Sequence, residues 1–234
     1  ISPETKVTMI DNFDVEAFVN KSGTYYSDGK LGWETADELL SWLQTNNYSI
    51  SANGVVYDLN KKGFIPTILE KWFNERSEYK KLRDKKYEDG DEAGYAYFDM
   101  LQLVTKILLN SFYGVLGTPS FRFFDIANGA AVTSTGQQII KFSAKAANHY
   151  YKKTLGKAGE YVIYTDTDST FISSIPILKA QFGNDIKIND DDWMADHTVK
   201  VASAVQKYIN DSYNAYVQRY HNVTDHKLKI KQEY

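Results

Sequence analysis

The spacing of apolar positions changes repeatedly along the chain, and each change predicts a different element. Residues 1–62 are broken into short runs by Gly23, Asp28-Gly29, Gly32, Asn46-Asn47, Asn53-Gly54 and Gly63. Within them, Thr35 followed by Glu38 and by Leu39, Leu40 and Leu43 predicts a helix over 35–45 that opens on a capping box. Gly54-Val-Val-Tyr-Asp58 predicts a short strand. From Ile65 the period becomes helical, through Ile68, Leu69 and Trp72, with Pro66 in the first turn where its missing N–H costs little. A charged run continues to Lys86, Glu88-Asp-Gly-Asp91 reads as a turn, and a second helical stretch follows to about 113. The simplest arrangement is two antiparallel helices, each about 30 Å long, with a charged face in solvent.

Beyond Phe121-Arg-Phe-Phe124, a small-residue-rich helix is predicted from Ala130 to about Tyr151, with Ala130, Ala131, Ser134 and Gly136 allowing close packing on a sheet. Glu160-Tyr-Val-Ile-Tyr164 reads as a buried strand and Ser169-Thr-Phe-Ile-Ser173 as its partner. The intervening Thr165-Asp-Thr-Asp168 is long enough only for a tight hairpin tip. A long amphipathic helix over 193–220 turns Trp193, Val199, Val201, Val205, Ile209, Tyr213 and Val217 inward. The end, Leu228-Lys-Ile-Lys-Gln-Glu233, alternates like a strand.

Composition narrows the classes. With 234 residues and 43% hydrophobic positions the chain can build one large core or two small ones. The absence of cysteine removes a disulfide framework, thiolate metal sites and a cysteine nucleophile, and suits a reducing, cytoplasmic setting. No apolar run approaches a membrane span, and no signal peptide is visible near the start. The balance of 27 basic and 30 acidic residues gives no independent support for binding a polyanion. Ile1 in place of Met reads as a piece of a longer protein.

Two groups of residues carry chemistry. Asp166 and Asp168 stand two apart at the end of an apolar strand, so both carboxylates face one point if the chain stays extended. Like charges so close favour a compensating divalent cation, Mg²⁺ or Mn²⁺, held with substrate phosphates. The plainer reading is an ordinary turn capped by Asx bonds. The second group lies on the helical pair. Lys106, Asn110 and Tyr113 fall on one helical face, and Arg76 and Lys80 are a turn apart on the preceding helix. Folding about Gly90 puts Arg76 level with Lys106, giving three cations and an amide around a triphosphate-sized space. A solvated charged hairpin is the plainer alternative.

These same residues carry a resemblance. Lys106-xxx-Asn110-Ser111-x-Tyr113-Gly114 and Tyr164-Thr-Asp166-Thr-Asp168-Ser169 resemble, in order and spacing, the second and third motifs of family B DNA polymerases. Phe73-Asn-Glu-Arg76 with Lys80 resembles the first fingers helix of that family. Ile1-Ser-Pro-Glu-Thr5, Phe121-Arg-Phe-Phe-Asp125 and Thr133-Ser-Thr-Gly136-Gln137 are similar to its tailed-phage replicative branch. The resemblance implies an α+β fold: an antiparallel-sheet palm with packed helices over 1–62 and 119–234, and an antiparallel two-helix fingers hairpin over 63–118. It implies two Mg²⁺ ions, replaceable by Mn²⁺, with Asp168 as a ligand, Asp166 beside it, and Glu233 as a further acidic residue near them. It further implies a triphosphate held by Arg76, Lys80, Lys106 and Asn110, with Lys106 as a proton donor to the leaving group. Tyr113 and Gly114 would lie against the nascent base pair. The implied partners are primer-template DNA, dNTP and, through other regions, a sliding clamp and replisome proteins.

Two departures qualify this. Thr165 stands where the family has glycine, so the tip must adopt a conformation open to a β-branched residue. The family's first motif, which brings another metal-bridging Asp, is not in the sequence, which implies that this chain alone does not polymerise. Alternatives are a nucleotide-sugar glycosyltransferase using the Asp-x-Asp, or a subunit of a split polymerase.

Overall fold

Thr35 starts the first long element as expected. Its hydroxyl accepts the Glu38 N–H at 3.3 Å while the Glu38 carboxylate accepts the Thr35 N–H at 3.1 Å, opening α2 (Ala36–Asn46). Asn47 closes it in the left-handed region, at φ 55°. The computed structural model describes residues 5–10, 13–21 and 35–232.

The strand expected at Gly54–Asp58 is β3 (Val55–Asp58), the centre of an antiparallel sheet in the order β1-β3-β2, with β1 at Lys6–Met9 and β2 at Tyr48–Ile50. Neither flanking strand, each four residues or fewer, was legible from spacing, nor was the short helix α1 (Val15–Lys21). Gly54 is required where β3 begins. It sits at φ 85°, and a Cβ there would lie 2.6 Å from the Ile10 carbonyl. Ile10, Phe18, Leu39, Leu43, Ile50 and Val56 form the first core on one side of this sheet.

The helical pair is α3 (Phe64–Glu88) and α4 (Glu92–Val115), longer than predicted but with the expected turn at Gly90, φ 71°. Only Ile65 in α3 and Gln102 and Thr105 in α4 are buried. The hairpin is held instead by rungs along its length: Arg83 to Asp99 at 3.2 Å, and Trp72 edge-on to Phe112 at 5.8 Å. The aromatic run at its base continues from Phe112 to Phe121 and Phe123, and on to Phe64.

Asp125 caps α5 (Ile126–Leu155) by accepting the Asn128 N–H, and Lys6 of β1 pairs with it at 3.1 Å. Of the four small residues expected to meet a sheet, only Ala131 is buried, against Val55 and Tyr57. Ala130 and Gly136 lie exposed on the opposite side and Ser134 is half-buried, because a helix turned to bury Ala131 must turn its neighbours away. Farther along α5, Ala146, Ala147 and Tyr151 join Val201, Val205, Ile209 and Tyr213 of α7 (Asp191–His221) in the second core. Between them lie the hairpin β4 (Val162–Asp166) and β5 (Ser169–Ile172), and the unanticipated helix α6 (Ile175–Phe182).

Two expectations fail. The strand through Tyr164 is not buried: Ile163, Tyr164 and Phe171 are all exposed, because β4 and β5 form a two-stranded sheet that only α5, α6 and α7 back. The segment 224–232 forms no strand. Its alternation is real, with Leu228 and Ile230 packed on the second core, but its backbone finds side chains rather than a ladder. Asn210 of α7 accepts the Ile230 N–H at 2.9 Å and donates to the Ile230 carbonyl at 3.0 Å. The result is an α+β fold, mostly helical, with two small antiparallel sheets. Among the described residues no helix is long and apolar enough to cross a membrane.

Candidate functional site

Position along the helical pair follows from its rungs. Arg83–Asp99 toward the turn and Trp72–Phe112 toward the base bracket Arg76 and Lys80 on α3 and Lys106 on α4. Lys80 lies within electrostatic reach of three other cations, Arg76, Arg83 and Lys106. The Lys80 ammonium is held below its ordinary range by desolvation against the hairpin, then by repulsion from Arg76, Arg83 and Lys106, which Asp84 partly offsets. Arg83 is committed elsewhere, bonded to Asp84 at 2.6 Å and to Asp99 at 3.2 Å. Among the described residues Arg76, Lys80 and Lys106 have no carboxylate partner, and the Arg76 Nε is buried without a hydrogen bond. Uncompensated cations that repel one another form a site that an anion stabilises.

Asn110 and Tyr113 continue the Lys106 face of α4 and are exposed, Tyr113 at 44%. A side chain at Gly114 would project into open space. The part that spacing did not reveal is the Arg83–Asp99–Gln102 network, in which Gln102 donates to the same Asp99 oxygen at 3.1 Å. The signal available was Arg83 three residues beyond Lys80, on the same helical face.

The hairpin tip is built by other means. Asp166 ends β4 opposite Ser169, leaving Thr167-Asp168 as a two-residue loop. Thr165 lies within β4, paired with Thr170, so the departure from glycine falls in ordinary strand backbone. The left-handed residue is Thr167, at φ 50°, a costly place for a β-branched side chain. Its hydroxyl donates to the Asp166 carboxylate at 3.0 Å, and the Ser169 hydroxyl donates to the Asp166 carbonyl at 3.1 Å. These local bonds hold the tip closed.

Helix α5 holds its base. The Asn148 side-chain oxygen accepts the N–H groups of Tyr161 and Val162 at 2.8 and 3.2 Å, and the Tyr151 hydroxyl donates to the Ser173 carbonyl at 2.6 Å. Neither residue was singled out from the sequence, since an amide or phenol in a helix carries no mark of the strand it serves.

No hydrogen bond or ion pair joins the two groups of site residues among the described residues. Asp166 and Asp168 are exposed and free of ion pairs there, and no third His, Cys, Asp or Glu completes a metal-sized cluster. Glu233 lies outside the described residues. Two exposed carboxylates are hard oxygen donors with room for waters and phosphates, so they fit part of the shell that Mg²⁺ takes.

A family model described as DNA polymerase family B matches residues 25–216. The DNA-directed DNA polymerase of Escherichia phage RB69 is 28% identical over 180 residues, 56% of this chain and 20% of its own length. The DNA polymerase delta catalytic subunit of Schizosaccharomyces pombe is 33% identical over 138 residues, covering 58% of this chain and 12% of that subunit. The DNA polymerase of Paramecium bursaria Chlorella virus NY2A is 31% identical over 172 residues, 74% of this chain and 16% of its own. The chain thus spans about a fifth of the phage relative and less of the other two. Because the match takes in both the helical pair and the hairpin tip, the chain belongs to DNA polymerase family B.

Proposed function

We propose that this chain supplies the nucleotide-handling helices and the carboxylate hairpin of a DNA-directed DNA polymerase. In this reading residues 63–118 are the fingers, and 1–62 with 119–234 are parts of the palm. The observation that carries it is the set of cations without ion-pair partners on the helical pair, Arg76, Lys80 and Lys106, between the same two rungs and a turn from Asn110. A triphosphate is an anion of matching charge and reach. Family membership makes dNTP the nucleotide and primer-template DNA the second substrate.

Each side chain then has a task. Arg76 binds phosphate oxygens through its planar fork, and Lys80 and Lys106 act as point charges. Their repulsion in the free protein is relieved when the polyphosphate binds. In this reading Lys106 also gives a proton to the departing pyrophosphate. Tyr113, exposed on the same face, packs against the nascent base pair. Asp166 and Asp168 would hold Mg²⁺ or Mn²⁺, whose chemistry is to neutralise charge as the primer hydroxyl displaces pyrophosphate. The Thr167 hydroxyl orients the Asp166 carboxylate toward that role.

The test is template-directed incorporation of one dNTP by the full-length parent with Mg²⁺ present. Asp168→Ala abolishes extension while leaving primer-template binding in place, and Lys106→Ala slows turnover by about a hundredfold or more. A folded parent that binds nucleotide yet never extends a primer overturns the reading. Near-normal incorporation by the Lys106 variant removes that residue from the chemistry.

A further inference from the structure

The function proposed above uses Asn148 and Tyr151 of α5, which pin the hairpin. The face of α5 that carries Asn148 has a second pattern. No Asp or Glu occurs between Asp125 and Glu160, in a chain with 30 acidic residues, while Lys141, Lys145, Lys152, Lys153 and Lys157 all fall in that stretch. All five lysines and His149 are exposed. Lys141, Lys145, His149 and Lys152 follow one another at intervals of three and four, so they form a single stripe about 16 Å long.

Helix electrostatics explains part of this. Lys152 and Lys153 lie in the last turn, where cations complement the dipole. That effect fades within a turn, and Lys141 and Lys145 lie beyond its reach. Lys145 is paired with Glu16 at 2.8 Å, whereas Lys141, Lys152, Lys153 and Lys157 have no acidic partner among the described residues. Beside the stripe lies an open cleft of about 490 Å³, lined by Lys145, Asn148, His149 and Lys152 from α5 and by 158–160 of the following loop, Glu160 among them. The His149 ring is stacked parallel to Tyr208 of α7, with 6.1 Å between centroids.

We infer that this face of α5 is a docking track for the phosphate backbone of single-stranded nucleic acid. A row of exposed lysines along one helix face, with an exposed imidazole among them, is an arrangement with which proteins follow a flexible strand. The inference rests on the polymerase reading for the identity of the polyanion, which makes the strand DNA. Lys141, Lys152 and Lys153 contact phosphates, and His149, supported by Tyr208, offers a surface on which a base stacks.

The full-length parent tests this by its affinity for an oligothymidylate across a salt series. Replacing Lys141, Lys152 and Lys153 together with Gln weakens binding and reduces the slope of log affinity against log salt by about two. The same three positions changed to Arg keep the slope, and matching melting temperatures show that neither variant has lost its fold. An unchanged slope in the Gln variant overturns the proposal. So does an unchanged slope with lost binding to polyglutamate, which assigns the face to an acidic protein instead. Incorporation by the unmodified parent is measured in parallel. A parent that extends primers while its Gln variant keeps the slope loses the track and keeps the polymerase reading. A parent that never extends but shows the slope change loses the polymerase reading alone.

Discussion

At the scale of single residues, the buried polar groups decide most. The Tyr57 hydroxyl donates to the Asn128 side-chain oxygen at 2.6 Å, and burial drives the phenol well above its ordinary range. The Asn128 amide nitrogen is buried with no partner among the described residues, so this amide already sits at a disadvantage. Tyr57→Phe removes its remaining side-chain bond and costs about 1–3 kcal/mol in denaturant unfolding. Combined with Asn128→Ala the cost falls below the sum of the two single changes, since the orphaned acceptor is gone. Strict additivity would remove this account. His221 is a second case. Its Nδ1 lies 2.8 Å from the Ile50 carbonyl, its Nε2 is buried without a partner, and burial pushes the imidazole below its usual 6.5. The unfolded chain therefore takes up a proton that the folded chain refuses. Stability from this group is intact above pH 6.5 and is lost as pH falls below it. His221→Asn keeps a donor for Ile50 without the titration, so its melting temperature drops less between pH 7 and 5 than that of the unmodified protein. Parallel drops would show that His221 is not responsible.

At the scale of elements, sequence spacing conveys faces better than partners. The helical period gave α2, α3, α4 and α7 and placed Lys106, Asn110 and Tyr113 on one exposed face, because a helix makes its own hydrogen bonds. Two strand-like apolar runs, 160–164 and 169–173, gave the hairpin tip as well, because runs so close in sequence can only turn back on each other. A strand needs an edge supplied by something distant, and this is where the reading failed. Leu228 and Ile230 turn inward as their alternation says, yet Asn210, not a neighbouring strand, satisfies the backbone. The same distance hid the diversion of Arg83 to Asp99. Asn210→Ala removes both bonds to Ile230, and amide exchange over 228–232 accelerates while α7 itself stays protected. Unchanged exchange there would mean that apolar packing of Leu228 and Ile230 suffices. Glu70 ties the same segment to α3 through Lys227 and reaches Lys62 as well, and hydrogen bonds from these lysines lower its carboxyl to about 2. This carboxylate is ionised in the unfolded chain above about pH 4.5, so the tie is full above that value and is lost as pH falls toward 2.

At the scale of the whole molecule, burial is distributed unevenly, and that sets how the chain opens. Helix α7 passes through both cores. Val201, Val205, Ile209 and Tyr213 pack in the second, while Tyr220 and the His221 bond to Ile50 reach the first. Helix α5 likewise runs from Ala131 under β3 to Tyr151 under the carboxylate hairpin. These two helices bury seven residues each, whereas α3 and α4 together bury three. The helical pair is therefore a unit stabilised by its own rungs, joined to the rest chiefly through the aromatic run at its base. Such units open at lower free energy than the core they stand on. Under native conditions amides across 66–113 exchange faster than those of α5 and α7, with no change in protection at Val205 or Tyr151. Asp99→Ala, which removes the Arg83 rung between the two helices while leaving Arg83 bonded to Asp84, widens that difference. Under the proposed function a nucleoside triphosphate with Mg²⁺ narrows it in the full-length parent, since a polyphosphate bridging Arg76, Lys80 and Lys106 would replace the repulsion felt at Lys80 with a shared anion. Uniform protection along the chain would show that the pair is not an independent unit. Protection unmoved by nucleotide would show that its cations do not hold the phosphates.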